Sequence, residues 1–575
     1  MDNNVLTQTE AAVSKQKGEP YGLSKKLNQY FHHLDRGGTL KGEVMAGIAM
    51  FSLAICVIFM NMQIVAGAVN GKVELGTSPG DPTNIAAAST YAQIYIGSIL
   101  IAFIGSLIIG LVAGLPFAQL STMGFASSML SLIGTEAGLT YYNLLFINFI
   151  AALIYGLVVG VPVVREGVYK ALPASVRRVL PAAAGLIFAF AALKMSGFVT
   201  TSDIALGNIG GQSITVITGF ADFSGGKKMA TFAFIGAIAA ILIYCILKGF
   251  KRKHPVFWSL AGGTGLFILI DIIFCGLDVA NTDSFINFGR VWMITASQAS
   301  METPFGDSYL TYFGPAIKEV FSNFSDIFTK GADFSAYTGS TLALVLSGVL
   351  CYVFMGVYDA EGTMLAVKDA LNRNANEAGR VDFDSQKGIR KILLCNAGMN
   401  IIAPFLGIGG ISVSKTSVAA TEDNGKSGLA SIVAGIGFLI SLFLMLFPVL
   451  FATVTYPVYS MNQWNYDAYG NGGFVYLMQG AAFGIADAVM VCVGLSMLRA
   501  LKNINWRELA DWIPAVVTVA ASAVLTNLAF GIALGVIVFC LIRLLSFRKG
   551  SKLAIPTVVL LALMIVMLVQ QYVFI

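Results

Sequence analysis

The chain has 575 residues, 56% of them hydrophobic and only 12% charged, with a mean hydropathy of +0.77 and a formal net charge of +5. Soluble domains carry about 25% charged residues, so the composition excludes a soluble globular enzyme and points to a polytopic helical membrane protein. The modest positive excess is spread over loops and forms no nucleic-acid patch.

In chain order, residues 1–43 are polar, too hydrophilic for a signal peptide, and read as a cytoplasmic tail containing "TQTEAAVSKQKGEP". Apolar runs then predict spans at 44–66, 90–113, 142–164, 179–197, 229–248, 256–275, 339–367, 388–407, 428–452, 474–498, 511–528, 529–547 and 553–574. Two short apolar segments, near 117–133 and 408–422, are interrupted by Gly, Ser, Thr and Pro.

Lys and Arg collect in the tail, in 165–178, in "KGFKRKH" (248–254), in 368–391, in "RALKNINWR" (499–507) and in "RKGSK" (548–552). Segment 453–473 has none, and 276–338 is net acidic. Basic loops mark the cytoplasmic side. The sides alternate only if both short segments cross, which gives seven crossings up to Cys275 and seven more from Thr341 to Phe547. The run 553–574 would be an additional span. An odd half repeated is inverted in the membrane, as in many secondary transporters. Two buried hairpins that do not cross would break the alternation.

The seven cysteines all lie in apolar runs, with no CxxC pair, and the three histidines flank spans on the basic side. No disulfide framework, metal site, cofactor or His-based catalytic set is expected. An embedded enzyme would need a nucleophile–base set or a metal site, and the sequence shows neither.

The interrupted segments read "GLPFAQLSTMGFASSML" from Gly114 and "APFLGIGGISVSKTSVAATEDNGKSGL" from Ala403. Each is the third crossing of its half, and each passes from Pro-Phe through small and polar residues into a helix-compatible stretch. Non-helical backbone at membrane depth is tolerated only against protein or a water-filled cavity. Broken segments at matching positions of two halves mark a binding site, with half-helix N-termini offering free N–H groups. Small residues that merely let helices pack closely are the competing explanation. Backbone amides around Met123, Gly124 and Phe125, and around Ser412–Ser414, are the expected cradle. Phe117 or Phe125 is available to stack on a planar ring.

Charges inside the apolar runs mark function by default. In "FMGVYDAEGT" Asp359 and Glu361 are two residues apart, so on a helix they point about 200° apart. Asp359 shares a face with Gly356 and Thr363; Glu361 shares one with Val357, Tyr358 and Leu365. Lys415 lies in the second interrupted segment and needs a partner. Asp359 and Glu361 are the candidates, with Glu361 the expected one. Asn61, Gln63, Asn148, Asp271, Asn396, Asn400 and Asn527 read as helix–helix glue, and Asp487 has a stronger claim to a functional role than these amides.

The stretches "GGTLKGEVMAGIAMF", "MNMQIV", "GLPFAQLSTMGF", "LTYYNLLFINFIAALIYGLV", "REGVYKALPASVRRVLPAAAGLIFAFAALKMSG" and "YDAEGTMLAV", in this order, resemble the AzgA-type purine permeases of the nucleobase–ascorbate transporter superfamily. The resemblance covers essentially the whole membrane region. It implies an all-α fold of fourteen spans in a seven-plus-seven inverted repeat, with the third and tenth segments short and broken. A core domain (44–164 and 339–452) would rock against a gate domain (165–275 and 474–547), with 276–338 an extracellular loop and 553–575 a further hydrophobic span. Substrate would bind between the third and tenth segments, and members are typically proton-coupled importers of adenine, guanine or hypoxanthine.

Three departures stand out. Gly356 replaces an acidic residue usual in the eighth span. Ser121–Ala126 replaces a Pro-Gly-Met-Gly-Leu-Asn pattern. Thr416, with Lys415 beside it, stands where the tenth segment usually carries a Glu. The expected substrate site is Asp359, Thr363, Ser414, Lys415, Thr416, Met123, Gly124 and Phe125, with Asp359 and Glu361 the candidates for proton coupling. The expected function is proton-coupled import of a purine-like small molecule across the cell membrane, with homodimerisation open. Lys415 would suit a more acidic ligand such as an oxidised purine. The alternative is an anion carrier or channel built on Lys415 and half-helix dipoles.

Overall fold

The computed structural model describes residues 22–70, 82–121, 139–195, 199–205, 213–220, 228–275, 309–334, 339–372, 375, 377, 379–383, 386–442, 481–525, 527–545 and 554–573. After a short α1 (Gly22–Phe31), the apolar runs form α2 (Leu40–Asn70), α3 (Pro82–Val112) and α4 (Tyr141–Gly160). A short α5 (Pro162–Ala171) leads into α6 (Ala174–Met195), α7 (Lys228–Gly249) and α8 (Pro255–Cys275). Then come α9 (Tyr309–Thr329), α10 (Gly339–Asn372), α11 (Gln386–Ile402), α12 (Thr416–Glu422) and α13 (Gly428–Ser441). The last four are α14 (Ala481–Ser496), α15 (Leu509–Val524), α16 (Leu528–Leu545) and α17 (Ile555–Val573).

The described part of each predicted span falls on these helices, because in lipid a backbone must satisfy its own hydrogen bonds and the apolar run coincides with the helix. Among the described residues, nine helices are long and apolar enough to cross a membrane, and four shorter apolar helices accompany them. The chain is a polytopic helical membrane protein. The predicted stretch 443–480, which includes the Lys- and Arg-free loop, lies outside the described residues.

Both interrupted segments break where expected, and at the same kind of residue. After α3 the chain turns at Gly114 (φ 65°), and after α11 a 3-10 turn (Ala403–Leu406) ends at Gly407 (φ 75°). Only glycine adopts this left-handed conformation without strain. Each segment then extends into a three-residue strand, β1 (Gln119–Ser121) and β4 (Ile411–Val413). The two strands pair antiparallel, Gln119 opposite Val413 and Ser121 opposite Ile411, the relation an inverted repeat imposes. Each therefore satisfies the backbone groups that the other exposes at depth.

Two features depart from the purely helical expectation. A second two-stranded sheet, β2 (Val199–Ala205) with β3 (Ser213–Phe220), stands between α6 and α7. The segment 276–338, expected as a loop, contains α9. This helix packs on α3, α4 and the 3-10 turn, with Phe324 stacked on Phe405 at 4.9 Å. Its Phe321, Phe324 and Phe328 recur at helical spacing and are about half exposed.

Helices approach closely where glycines face each other. A Cβ on Gly494 of α14 would lie 2.5 Å from Gly185 O of α6, and one on Gly185 would lie 2.5 Å from Gly494 O.

Candidate functional site

The two strands, α12 and the middle of α10 converge on one place. Lys415 follows β4 and occupies the N-cap position of α12. Its Nζ lies 2.5 and 2.6 Å from Asp359 Oδ1 and Oδ2 on α10. Both side chains are nearly enclosed, 11% and 5% exposed, so the pair is shielded from water and strong only if kept together.

Local hydrogen bonds fix the frame around this pair. Thr363, one turn beyond Asp359, donates to Val413 O of β4 at 3.1 Å. Ser414 N donates to Ala118 O, and Ala118 N donates to Ser417 Oγ, so the start of β1 is bonded to the start of α12. The Ser414 hydroxyl accepts from Thr416 N at 3.2 Å and lies 2.8 Å from Thr416 Oγ1. This contact ties the residue before the N-cap to the first residue of α12. Asn400 of α11 acts as a missing strand: its Nδ2 donates to Ile411 O at 2.8 Å, and its Oδ1 accepts from Ile411 N at 2.9 Å. Asn61 of α2 donates to Ser121 O at 2.5 Å.

Asp359, Thr363, Ser414, Lys415 and Thr416 are therefore brought together. Met123, Gly124, Phe125, Gln63 and Asp271 lie outside the residues whose side chains are described. Phe117 is fully enclosed, so it is packing and has no open face for a ring. Asn527 caps α16 through Ala529 N and does not join two helices. The expected Lys415–Glu361 pair is not formed. The two carboxylates face apart as their spacing demands, and only Asp359 faces β4 and α12.

Three further groups belong to the frame of the site or its approach. Asn61 Oδ1, Ser412 Oγ and Asp487 Oδ1 are buried without a hydrogen-bond partner among the described residues. Asp487 is on α14, which packs against both α2 and α12. Buried polar atoms left unpaired are costly, and a polar ligand entering here would satisfy them. Ser412 is expected in the cradle through its backbone amide; its place in a strand opposite Leu120 becomes visible only through the pairing with β1.

Beyond the strands, the far end of α12 is held by the α7–α8 hairpin. Glu422 accepts from Lys248 Nζ at 2.5 Å and from Tyr244 OH at 2.6 Å. Asp423 accepts from Val256 N and Phe257 N at 2.7 and 2.6 Å, and so caps α8.

The adenine permease AdeQ of Escherichia coli is 22% identical to this chain over 535 residues, covering 91% of this chain and 92% of that protein. The guanine/hypoxanthine permease PbuO of Bacillus subtilis is 19% identical over 520 residues, covering 89% and 94%. Over most of its length the chain is thus similar to adenine and guanine/hypoxanthine permeases, at 19–22% identity. No model of a known protein family matches it. Among solved structures, the transmembrane domain of a cyanobacterium bicarbonate transporter, BicA, is 14% identical, with a TM-score of 0.40, covering 86% of this chain and 97% of that one.

Proposed function

We propose that the chain is a secondary transporter that imports a neutral purine nucleobase or a related heterocycle, driven by protons. The observation that carries this reading is the Asp359–Lys415 pair where β1, β4 and α12 meet. A purine edge presents an N–H donor beside a ring nitrogen or carbonyl acceptor. A carboxylate and an ammonium held side by side match that edge, the first accepting and the second donating. The purine permeases similar to this chain over most of its length support the same class of ligand.

The pair also bears on charge. Asp359 neutralises Lys415, so the described site presents no spare cation for an anion. This favours a neutral base over an oxidised, anionic purine, and it weakens the anion-carrier alternative. Movement of the core domain (44–164, 339–452) against the gate domain (165–275, 474–547) would expose the site alternately to the two sides. The basic loops favour a cytoplasmic N-terminus in the cell membrane. The test is a competition panel of purines and pyrimidines in proteoliposomes with an imposed proton gradient. Neutral hypoxanthine, adenine or guanine should displace one another. Xanthine and urate outcompeting all three would overturn the neutral-ligand reading.

A further inference from the structure

We propose that Glu361 is the proton-binding site of this transporter, separate from the substrate site and placed on the opposite face of the same helix. The inference rests on the transport reading above and adds where the driving ion sits.

Asp359 and Glu361 are both on α10 but meet different surroundings. Asp359 is held by Lys415. Glu361 is 4% exposed, and its Oε1 has no hydrogen-bond partner among the described residues. It lines a small cavity between α4, α5, α10 and α11, with Val159, Arg165, Val168, Val357, Ile389 and Leu393 on the walls. The cavity has room for about one water.

A bare carboxylate in such a hydrocarbon setting is strongly disfavoured, and the group is neutral unless a cation approaches. A proton is the ligand that fits. A sodium ion needs several oxygen ligands, whereas besides Glu361 and the Tyr169 phenol these walls offer hydrocarbon side chains and a guanidinium. Among the described residues there is no cluster of His, Cys, Asp and Glu able to hold a metal.

The charged groups around Glu361 suggest how the proton leaves. Arg165 of α5 is on the cavity wall, its Nη1 donating to Val159 O at 2.8 Å. Arg177 of α6 stands over the Tyr169 ring at 4.4 Å, and its positive charge acts on Glu361. Arg390 of α11 acts on Arg165. Tyr358 of α10 donates to Val168 O at 3.3 Å; α4 brings no charged side chain to the walls. Among the described ion pairs, none joins one of these cations to Glu361. A shift of α5 that turns Arg165 onto Glu361 would stabilise the carboxylate, so that the O–H bond breaks and the proton passes to water on the basic side. Asp359 stays held by Lys415, and α10 links the two events.

The experiment has two arms. In proteoliposomes, Glu361→Gln should lower gradient-driven accumulation of hypoxanthine or adenine by at least about tenfold, while exchange without a gradient keeps its KM and loses its pH dependence. Full accumulation by Glu361→Gln, or loss of exchange together with accumulation, would overturn the proposal. The second arm uses the unaltered protein, so it does not depend on the variant folding. Dicyclohexylcarbodiimide attacks protonated carboxyls in apolar surroundings; mass spectrometry should find it on Glu361, less at higher pH, and not on Asp359. Labelling on Asp359 with Glu361 unlabelled would overturn the assignment. If the unaltered protein exchanges no purine, the transport reading fails, and the labelling still decides which carboxyl holds a proton.

Discussion

Lys415 Nζ lies 2.5 Å from Asp359 Oδ1, so the first residue before the half-helix α12 is tied to the middle of α10. Removing either partner leaves a buried charge uncompensated, at a cost of about 3–5 kcal/mol. Asp359→Asn and Lys415→Met should each insert into the membrane, unfold at a lower temperature in detergent, and show no concentrative purine uptake. The double variant should regain much of the lost thermal stability and still show no uptake. Thermal unfolding followed beside radiolabelled uptake separates the two effects. Uptake unchanged in Asp359→Asn would remove this carboxylate from the site.

The spans, the two matched breaks and the opposed faces of Asp359 and Glu361 were legible because each depends on a short-range rule. These rules are apolar length against bilayer thickness, glycine at a left-handed turn, and 100° per residue. The partner of Lys415 was not, since the two carboxylates are neighbours on one helix, both far from it along the chain, and only the packing of α10 on β4 decides between them. The role of Asn400 was read as glue between helices, while the structure uses it to complete a strand. The helix α9 escaped notice because it lacks a continuous apolar run, although the spacing of Phe321, Phe324 and Phe328 is the signal that reveals it.

The clasp at the far end of α12 predicts a kinetic phenotype. Lys248 and Tyr244 reach Glu422, and Asp423 caps α8. If the site-bearing half-helix moves against the α7–α8 hairpin during transport, these contacts break or re-form in each cycle. Glu422→Gln should therefore change the maximal uptake rate while leaving the purine KM unchanged. Asp423→Ala removes a helix cap and should cost about 0.5–2 kcal/mol of stability, with Asp423→Asn retaining most of it. A KM change in Glu422→Gln with the rate unaltered would place this cluster in binding instead.

The crossing of α6 and α14 has no room for a side chain. A Cβ on Gly494 would meet Gly185 O at 2.5 Å and Ala189 Cβ at 2.9 Å. Backbone on both sides leaves nothing flexible to yield, so the helices must separate. Gly494→Ala should cost about 1–3 kcal/mol, and Gly494→Leu should prevent a monodisperse peak in detergent size-exclusion chromatography. A control at Gly265, where an added Cβ meets nothing within 4 Å, should behave as the unaltered protein does.

Two histidines at the ends of the spans give the fold a dependence on pH. Burial lowers the affinity of His33 and His254 for a proton below the ordinary imidazole value of 6.5; Asp35 acts in the opposite sense at His33, and a hydrogen bond with the Asp423 backbone does so at His254. A lowered value in the folded state means that the unfolded chain binds these protons more readily. Their contribution is therefore fully present above about pH 6.5 and is lost as the pH falls through the folded-state values. The unfolding temperature of the detergent-solubilised protein should fall between pH 7.5 and pH 5. His33→Gln and His254→Gln, which cannot take up the proton, should each flatten that fall. An unfolding temperature equally steep in pH for the double variant would assign the effect to other groups.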